Sequence, residues 1–210
     1  KRGGLVSHRR LSNGDDKPYE LNISWWSAME DSSRDAKRFQ YERFILSQLL
    51  VMALKGVPAF YLPALLASEN DIKSFSMTGQ RRDLNREKFK SENLLAVLNN
   101  PESNANKNLK YLRNAMDVRS ELKQFHPCSQ MKCLSKGRSD IVVIKRGKGP
   151  ESVFAIHNMT ENKINYQLND NDLPKIIDND FNTHDFLTST KYNCKNISLD
   201  PFQVIWLSAL

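Results

Sequence analysis

Residues 44 to 62 constrain the fold more than any other stretch. Phe44-Ile45-Leu46 through Leu49-Leu50-Val51-Met52-Ala53-Leu54 is apolar nearly all the way round a helix, so the helix must be covered on several sides by a larger body. Lys55-Gly56 ends it in the C-cap manner, since glycine adopts the left-handed conformation without penalty. Val57-Pro58-Ala59-Phe60-Tyr61-Leu62 then reads as a strand buried on both faces, with Pro58 acceptable only at its start. A helix, a glycine turn and a buried strand form one unit of a parallel α/β fold. The chain offers a single strand of this kind, and one strand makes no sheet. Its neighbours are expected in sequence beyond these residues, and the absence of an initiator Met fits a piece of a longer or processed protein.

Composition narrows the class. A chain of 210 residues, 40% hydrophobic and 26% charged, fits an ordinary soluble globular protein of one large or two small domains. No apolar run reaches the roughly 18 residues that span a bilayer, so no membrane partner is expected. Lys1-Arg2-Gly3-Gly4-Leu5-Val6 is too short in its apolar part for a signal peptide. The net charge of +7 permits attraction to nucleic acid, but the pairs Arg9-Arg10, Arg81-Arg82 and Lys145-Arg146 are scattered among acids and form no stripe. No nucleic-acid partner is expected. Cys128, Cys133 and Cys194 are odd in number and fit a reducing compartment, the cytoplasm. The first two lack a second Cys/His pair nearby, so neither a metal site nor a cofactor is expected.

Before the apolar stretch, Ser12-Asn13-Gly14-Asp15-Asp16 is a turn cluster. Leu21, Ile23 and Trp25 alternate with polar residues, which predicts a half-buried extended segment facing the core through those three. Trp25 and Trp26 either stack on a sugar or pack. Asp31-Ser32-Ser33 supplies N-cap candidates for a helix running to about Leu54. Beyond the apolar stretch, residues 91–100 and 105–125 have helical periodicity, and His126-Pro127 stops the second helix. Strand-like runs follow at 141–144, 152–158, 164–168 and 204–207, separated by turns such as Arg146-Gly147-Lys148-Gly149-Pro150 and Asn169-Asp170-Asn171-Asp172. The expected fold class is α/β plus all-β, the second part being a small antiparallel domain.

Thr78-Gly79-Gln80-Arg81-Arg82-Asp83-Leu84-Asn85-Arg86-Glu87-Lys88-Phe89 is odd for a linker, which would favour Gly, Ser and Pro. Planar guanidinium groups suit a carboxylate, a phosphate or a pair of sugar hydroxyls. The alternative is a solvated loop with surface ion pairs. Thr183-His184-Asp185 is read as a surface loop, without apolar walls to shift a pKa. There is no P-loop, dinucleotide turn or nucleophile elbow. The Asn-X-Ser/Thr triplets at Asn22, Asn158 and Asn196 matter only on a secretory route.

The order of segments resembles the C-terminal part of the sucrose phosphorylase subfamily of glycoside hydrolase family 13, in the α-amylase superfamily. The matching pieces are Pro18-Tyr19-Glu20-Leu21-Asn22-Ile23, the helix ending in Leu54-Lys55-Gly56-Val57-Pro58, Leu65 to Asp71, Asp83-Leu84-Asn85-Arg86-Glu87, Asp185-Phe186-Leu187-Thr188 and Leu199 to Leu207. The resemblance implies a C-terminal fragment of a (β/α)8 barrel followed by a small antiparallel β domain. Residues 1–31 would be the remnant of an inserted loop domain. Residues 32–126 would be the last part of the barrel (seventh helix, eighth strand at 57–62, eighth helix), and 127–210 the C-terminal domain. It also implies retaining glucosyl transfer from an α-glucoside to inorganic phosphate through a covalent intermediate.

Within that resemblance Arg86 matches the arginine that holds the donor glucose by its hydroxyls, and Tyr19 and Glu20 fall in the loop on the acceptor side. Asp83 and Asn85 are expected to be scaffolding. Lys17-Pro18-Tyr19-Glu20 stands where sucrose-specific members carry Asp-Leu-Tyr-Gln, and it looks more like the glucosylglycerate phosphorylase branch. The family's catalytic carboxylates have no counterpart among these residues, so no catalytic residue is assigned. Activity is expected only when an N-terminal part completes the chain. The alternative is a non-catalytic carbohydrate-binding or partner-docking product of a split or decayed gene.

Overall fold

The computed structural model describes residues 2–31, 35, 37–169 and 182–208. Two strands come first, β1 (Leu5–Arg10) and β2 (Asp16–Asn22). Six helices follow: α1 (Trp25–Ala28), α2 (Gln40–Ala53), α3 (Leu62–Leu65), α4 (Ile72–Thr78), α5 (Ser91–Asn99) and α6 (Asn104–Glu121), with a 3-10 turn at Arg81–Asn85. Among the described residues eight strands come next: β3 (Met131–Cys133), β4 (Ile141–Arg146), β5 (Val153–Asn158), β6 (Ile164–Tyr166), β7 (Asn182–His184), β8 (Lys191–Asn193), β9 (Ile197–Leu199) and β10 (Val204–Ser208). They fall into two units, Lys1–Phe44 with Phe60–Tyr111, and Ile45–Ala59 with Leu112–Leu210.

The second unit is built on an antiparallel sheet in the order β10-β5-β4-β3. β5 is central, with Val143 opposite Ile156 on one side and Ile205 opposite Ile156 on the other. A strand paired on both edges and covered on both faces leaves no place for exposed side chains, and all six residues of β5 are buried. Ile141, Val143, Phe154, Ile156, Leu168, Ile197, Leu199, Ile205 and Leu207 form the core. The strands expected at 141–144, 152–158, 164–168 and 204–207 are all present. The three-residue strands β3, β7, β8 and β9 escape sequence reading, whereas β6, equally short, was legible because its apolar alternation continues to Leu168. Part of the expected Asn169 to Asp172 turn lies outside the described residues.

The same unit treats two arginines as structural parts. The last four carbonyls of a helix lack intrahelical donors. At the end of α2, Arg119 Nε donates to Met52 O at 3.0 Å and its Nη2 to Gly56 O at 3.0 Å. Arg146 Nη1 donates to Ala53 O at 2.9 Å and Leu54 O at 2.6 Å, while its Nη2 donates to His126 O at 3.0 Å. Arg146 is fully buried. Burial lowers both pKa values, Arg119 adding repulsion at Arg146. Two cations at a helix C-terminus also favour its dipole.

Three expectations are corrected. The long helix does not run from Asp31: α2 begins at Gln40, directly after Phe39 at φ 55°, a backbone setting no helix can pass through. Ser32 and Ser33, two of its N-cap candidates, lie outside the described residues. Residues 57–61 form no strand, and Val57 is 80% exposed. A strand exists through its ladder, and no described residue pairs with this segment. Asp185 is not on a surface loop. It is fully buried, bridges to Leu207, and accepts from Trp206 N at 2.7 Å, Leu187 N at 3.2 Å and Thr188 Oγ1 at 2.7 Å. Burial pushes its carboxyl above the ordinary range, partly opposed by those bonds.

Candidate functional site

The arginine-rich stretch of the first unit is a folded corner. Asp71 caps α4, its Oδ1 accepting from Ser74 N at 2.9 Å, and bonding to Ser74 holds the Asp71 carboxyl below its usual range. Gly79 ends α4 at φ 67°, where a Cβ would be strained. The 3-10 turn is pinned at three points. Thr78 Oγ1 donates to Asp83 Oδ2 at 2.7 Å, Asp71 N donates to Leu84 O at 2.8 Å, and Leu84 is buried.

The three arginines then diverge. Arg81 Nη1 donates to Val6 O at 2.7 Å on β1, and Arg82 Nε donates to Glu20 Oε2 at 3.0 Å on β2. The bond to Glu20 raises the Arg82 pKa further. Arg86 closes the turn through its backbone N–H to Asp83 O, and its side chain is exposed. Among the described residues its guanidinium has no hydrogen-bond or ion-pair partner. Two of the arginines tie the corner to the hairpin. The third presents five unused donors.

The hairpin carries the other two predicted site residues. β1 pairs with β2 antiparallel, but Ser7 lies opposite Glu20 and His8 opposite Pro18, so Tyr19 is an extra residue without a cross-strand partner. Such a bulge re-aims a side chain and accommodates a proline that cannot serve the ladder. It also reverses the expected phase. Leu21 is 62% exposed, whereas Asn22 is buried and accepts from Ser7 Oγ at 2.7 Å. Trp25 is partly exposed, and Trp26 is the buried indole, edge-on to Phe44 at 5.2 Å and to Tyr41 at 6.3 Å. The exposed Tyr19 and the Arg82-bound Glu20 thus flank the corner, and Arg86 bonds to neither.

Asn70 was missed as a positioning group, whereas Asn85 was expected to be scaffolding. Asn70 Oδ1 accepts from Ser24 N at 2.7 Å, and Asn70 N donates to Ser27 Oγ at 3.1 Å, fastening α1 to the start of the corner. Asn85 Oδ1 is a buried acceptor with no donor. Nothing in sequence separates these amides from the many surface asparagines of the chain. Among the described residues no His, Cys, Asp or Glu cluster could hold a metal, and no helix is long and apolar enough to cross a membrane.

The fold matches part of an amylase-type enzyme, a (β/α)8 barrel with a C-terminal β domain. Crystal structures it resembles include the sucrose 6F-phosphate phosphorylase of Thermoanaerobacter thermosaccharolyticum (TM-score 0.58, 17% identity, 75% of this chain and 29% of that one). The Geobacillus thermoleovorans α-amylase complexed with acarbose is another (TM-score 0.57, 16% identity, 80% and 33%). In sequence the chain is 32% identical over 155 residues to the glucosylglycerate phosphorylase of Spirochaeta thermophila, covering 74% of this chain and 24% of that enzyme. The chain is a homologue of the glucosylglycerate and sucrose phosphorylases, of the α-amylase superfamily and glycoside hydrolase family 13. It spans 24% to 35% of the length of the curated glucosylglycerate phosphorylases it matches. No protein-family model matches it.

Proposed function

We propose that the chain is the sugar-holding C-terminal part of an α-glucoside phosphorylase, active in the cytoplasm on a glucosylglycerate-like or sucrose-like donor with inorganic phosphate as acceptor. Residues 1–31 belong to the inserted loop region, 32–126 to the end of the barrel, and 127–210 to the C-terminal domain. Arg86 holds the donor glucose through its hydroxyls, and Tyr19 and Glu20 border the acceptor side. The carboxylates that form and break the glucosyl–enzyme bond lie outside these 210 residues, so the chain alone does not turn over. Neither nucleic acid nor membrane is a partner.

One observation carries this reading: of the three arginines on the corner, Arg86 alone keeps its guanidinium unbound among the described residues. A guanidinium held on a fixed turn and not spent on its own fold is preorganised for two adjacent hydroxyls. The test is to express the chain with the N-terminal part of the Spirochaeta thermophila glucosylglycerate phosphorylase and assay phosphate-dependent release of glucose 1-phosphate. Glucose 1-phosphate from a stable complex is the expected outcome. A stable complex that yields none from any glucoside tested contradicts the proposal.

A further inference from the structure

A cavity of about 290 Å³ opens in the second unit where β3 meets the turn after β4, lined by Gln130, Met131, Lys132, Lys145 and the turn residues 147–149. Three of its seven lining residues are lysines, and among the described residues none is an acid. Strand register brings two of the lysines together, because Lys132 on β3 lies directly opposite Lys145 on β4. Side chains so placed share a face, with Cβ atoms about 4.5–5.5 Å apart, and like charges there oppose the pairing. Lys145 is half-buried, its Nζ 5.3 Å from the centre of the Phe154 ring, which fixes where that charge sits. The turn supplies the third cation, Lys148, between two glycines. At Gly147, φ 84°, a Cβ would come within 2.8 Å of Gln124 Cγ, so this tight path requires glycine. At Gly149 no described atom lies within 4 Å of where a Cβ would stand, and its backbone is open to approach. Glu151, the carboxylate nearest the turn in sequence, is paired with Lys123.

We infer that this cavity binds a diphosphate group, with Lys132, Lys145 and Lys148 as its cationic partners. The charge of the lining selects the class. A neutral ligand would leave the opposed lysines repelling each other, and a carboxylate brings one negative charge to three cations. A single phosphoryl group brings about 1.5 to 2 charges at neutral pH, so two joined phosphoryl groups match three ammonium groups more closely than one does. Lysine suits such a ligand, since its ammonium meets phosphate as a point charge and asks for no planar geometry. The site uses no residue of the arginine corner and takes no part in the proposed phosphorolysis. It is a separate place at which a diphosphate-bearing ligand engages the C-terminal β domain.

The chain as it stands is titrated with inorganic pyrophosphate in a metal-free buffer of low ionic strength, while the backbone amide signals of Gly147, Lys148 and Gly149 are followed by NMR. Saturable shifts are expected, with Kd on the order of 0.1–1 mM, weakening about tenfold between roughly 20 and 200 mM NaCl. Lys132→Gln and Lys148→Gln, both at exposed positions, should each weaken binding about three- to tenfold. Lys191→Gln, outside the cavity, should leave the Kd within about twofold. Arg86→Ala should do the same, so the outcome of the phosphorolysis test does not decide this one. ADP separates the sources of the diphosphate: tighter binding than pyrophosphate points to a nucleotide, weaker binding to a free diphosphate, and either supports the site. Inorganic phosphate and sulfate should bind at least about tenfold more weakly than pyrophosphate. Absence of saturation up to about 10 mM pyrophosphate overturns the inference. So does inorganic phosphate binding as tightly as pyrophosphate, or binding that survives both lysine variants, which would mean an adventitious ion only.

Discussion

Arg146 and Arg86 summarise two ways of using the same side chain. Arg146, in the second unit, is fully buried, and its two terminal nitrogens serve three carbonyls. Arg86, in the first unit, is exposed and serves none among the described residues. The contrast extends to their surroundings. β5 buries all six residues, while β2 buries only Asn22. The second unit gathers most of its large apolar side chains into the core around β5. The first leaves Tyr19, Leu21, Trp25, Tyr61 and Leu62 more than two-fifths exposed. Surface of that kind marks a place for ligand or partner rather than a finished core.

The sharpest way to break the comparison is at Arg146. Arg146→Ala would strip the carbonyls of Ala53, Leu54 and His126 of their donor inside the core, and we expect a loss of about 3–5 kcal/mol by denaturant titration. A loss below about 1 kcal/mol would mean that water reaches those carbonyls and the unit is not closed.

Acid should act on the second unit next. His157 is fully buried on β5, with Nδ1 3.3 Å from Val142 O, and burial lowers its pKa to about 4 from 6.5. Between those values the unfolded chain takes up a proton that the folded one refuses, so stability falls as pH drops from 6.5 towards 4. The loss reaches about 3 kcal/mol. Asp185, with its raised pKa, works the other way, because its cost as a buried carboxylate fades as it protonates. His157→Gln should flatten the decline. An unchanged slope would assign it to other groups.

A smaller effect belongs to the corner. Asp71→Ala removes the α4 cap and should cost about 1 kcal/mol. Because Asp71 also fixes Leu84 through its backbone, a larger loss would show that the corner unfolds as a unit.

What could be read from sequence follows the same division. Ile141 to Ile144 and Val153 to Asn158 show as strands because long buried runs are their own signal. The helix from Phe44 onward is as apolar as predicted, with Phe44, Leu49, Met52 and Ala53 fully buried. The hairpin was legible only in its turn, since the bulge at Tyr19 shifts the pattern by one residue and a one-residue slip exchanges the two faces. Val57 to Leu62 carries the composition of a buried strand, but composition cannot supply the ladder. At the candidate site, three arginines were visible as an anomaly. Which one is unspent depends on β1 and Glu20 lying beside the turn, a long-range arrangement no local pattern encodes.

The most direct measurement compares Arg86→Ala with Arg81→Ala in the chain completed by the Spirochaeta thermophila N-terminal part, following phosphate-dependent release of glucose 1-phosphate. The account predicts that Arg86→Ala lowers kcat/KM by about 100-fold, the value of a lost charged hydrogen bond pair to substrate, while changing stability by less than about 0.5 kcal/mol. Arg81→Ala should lose stability rather than turnover, because its guanidinium is spent on Val6 O. Equal activity in the Arg86→Ala and unsubstituted proteins would contradict the account.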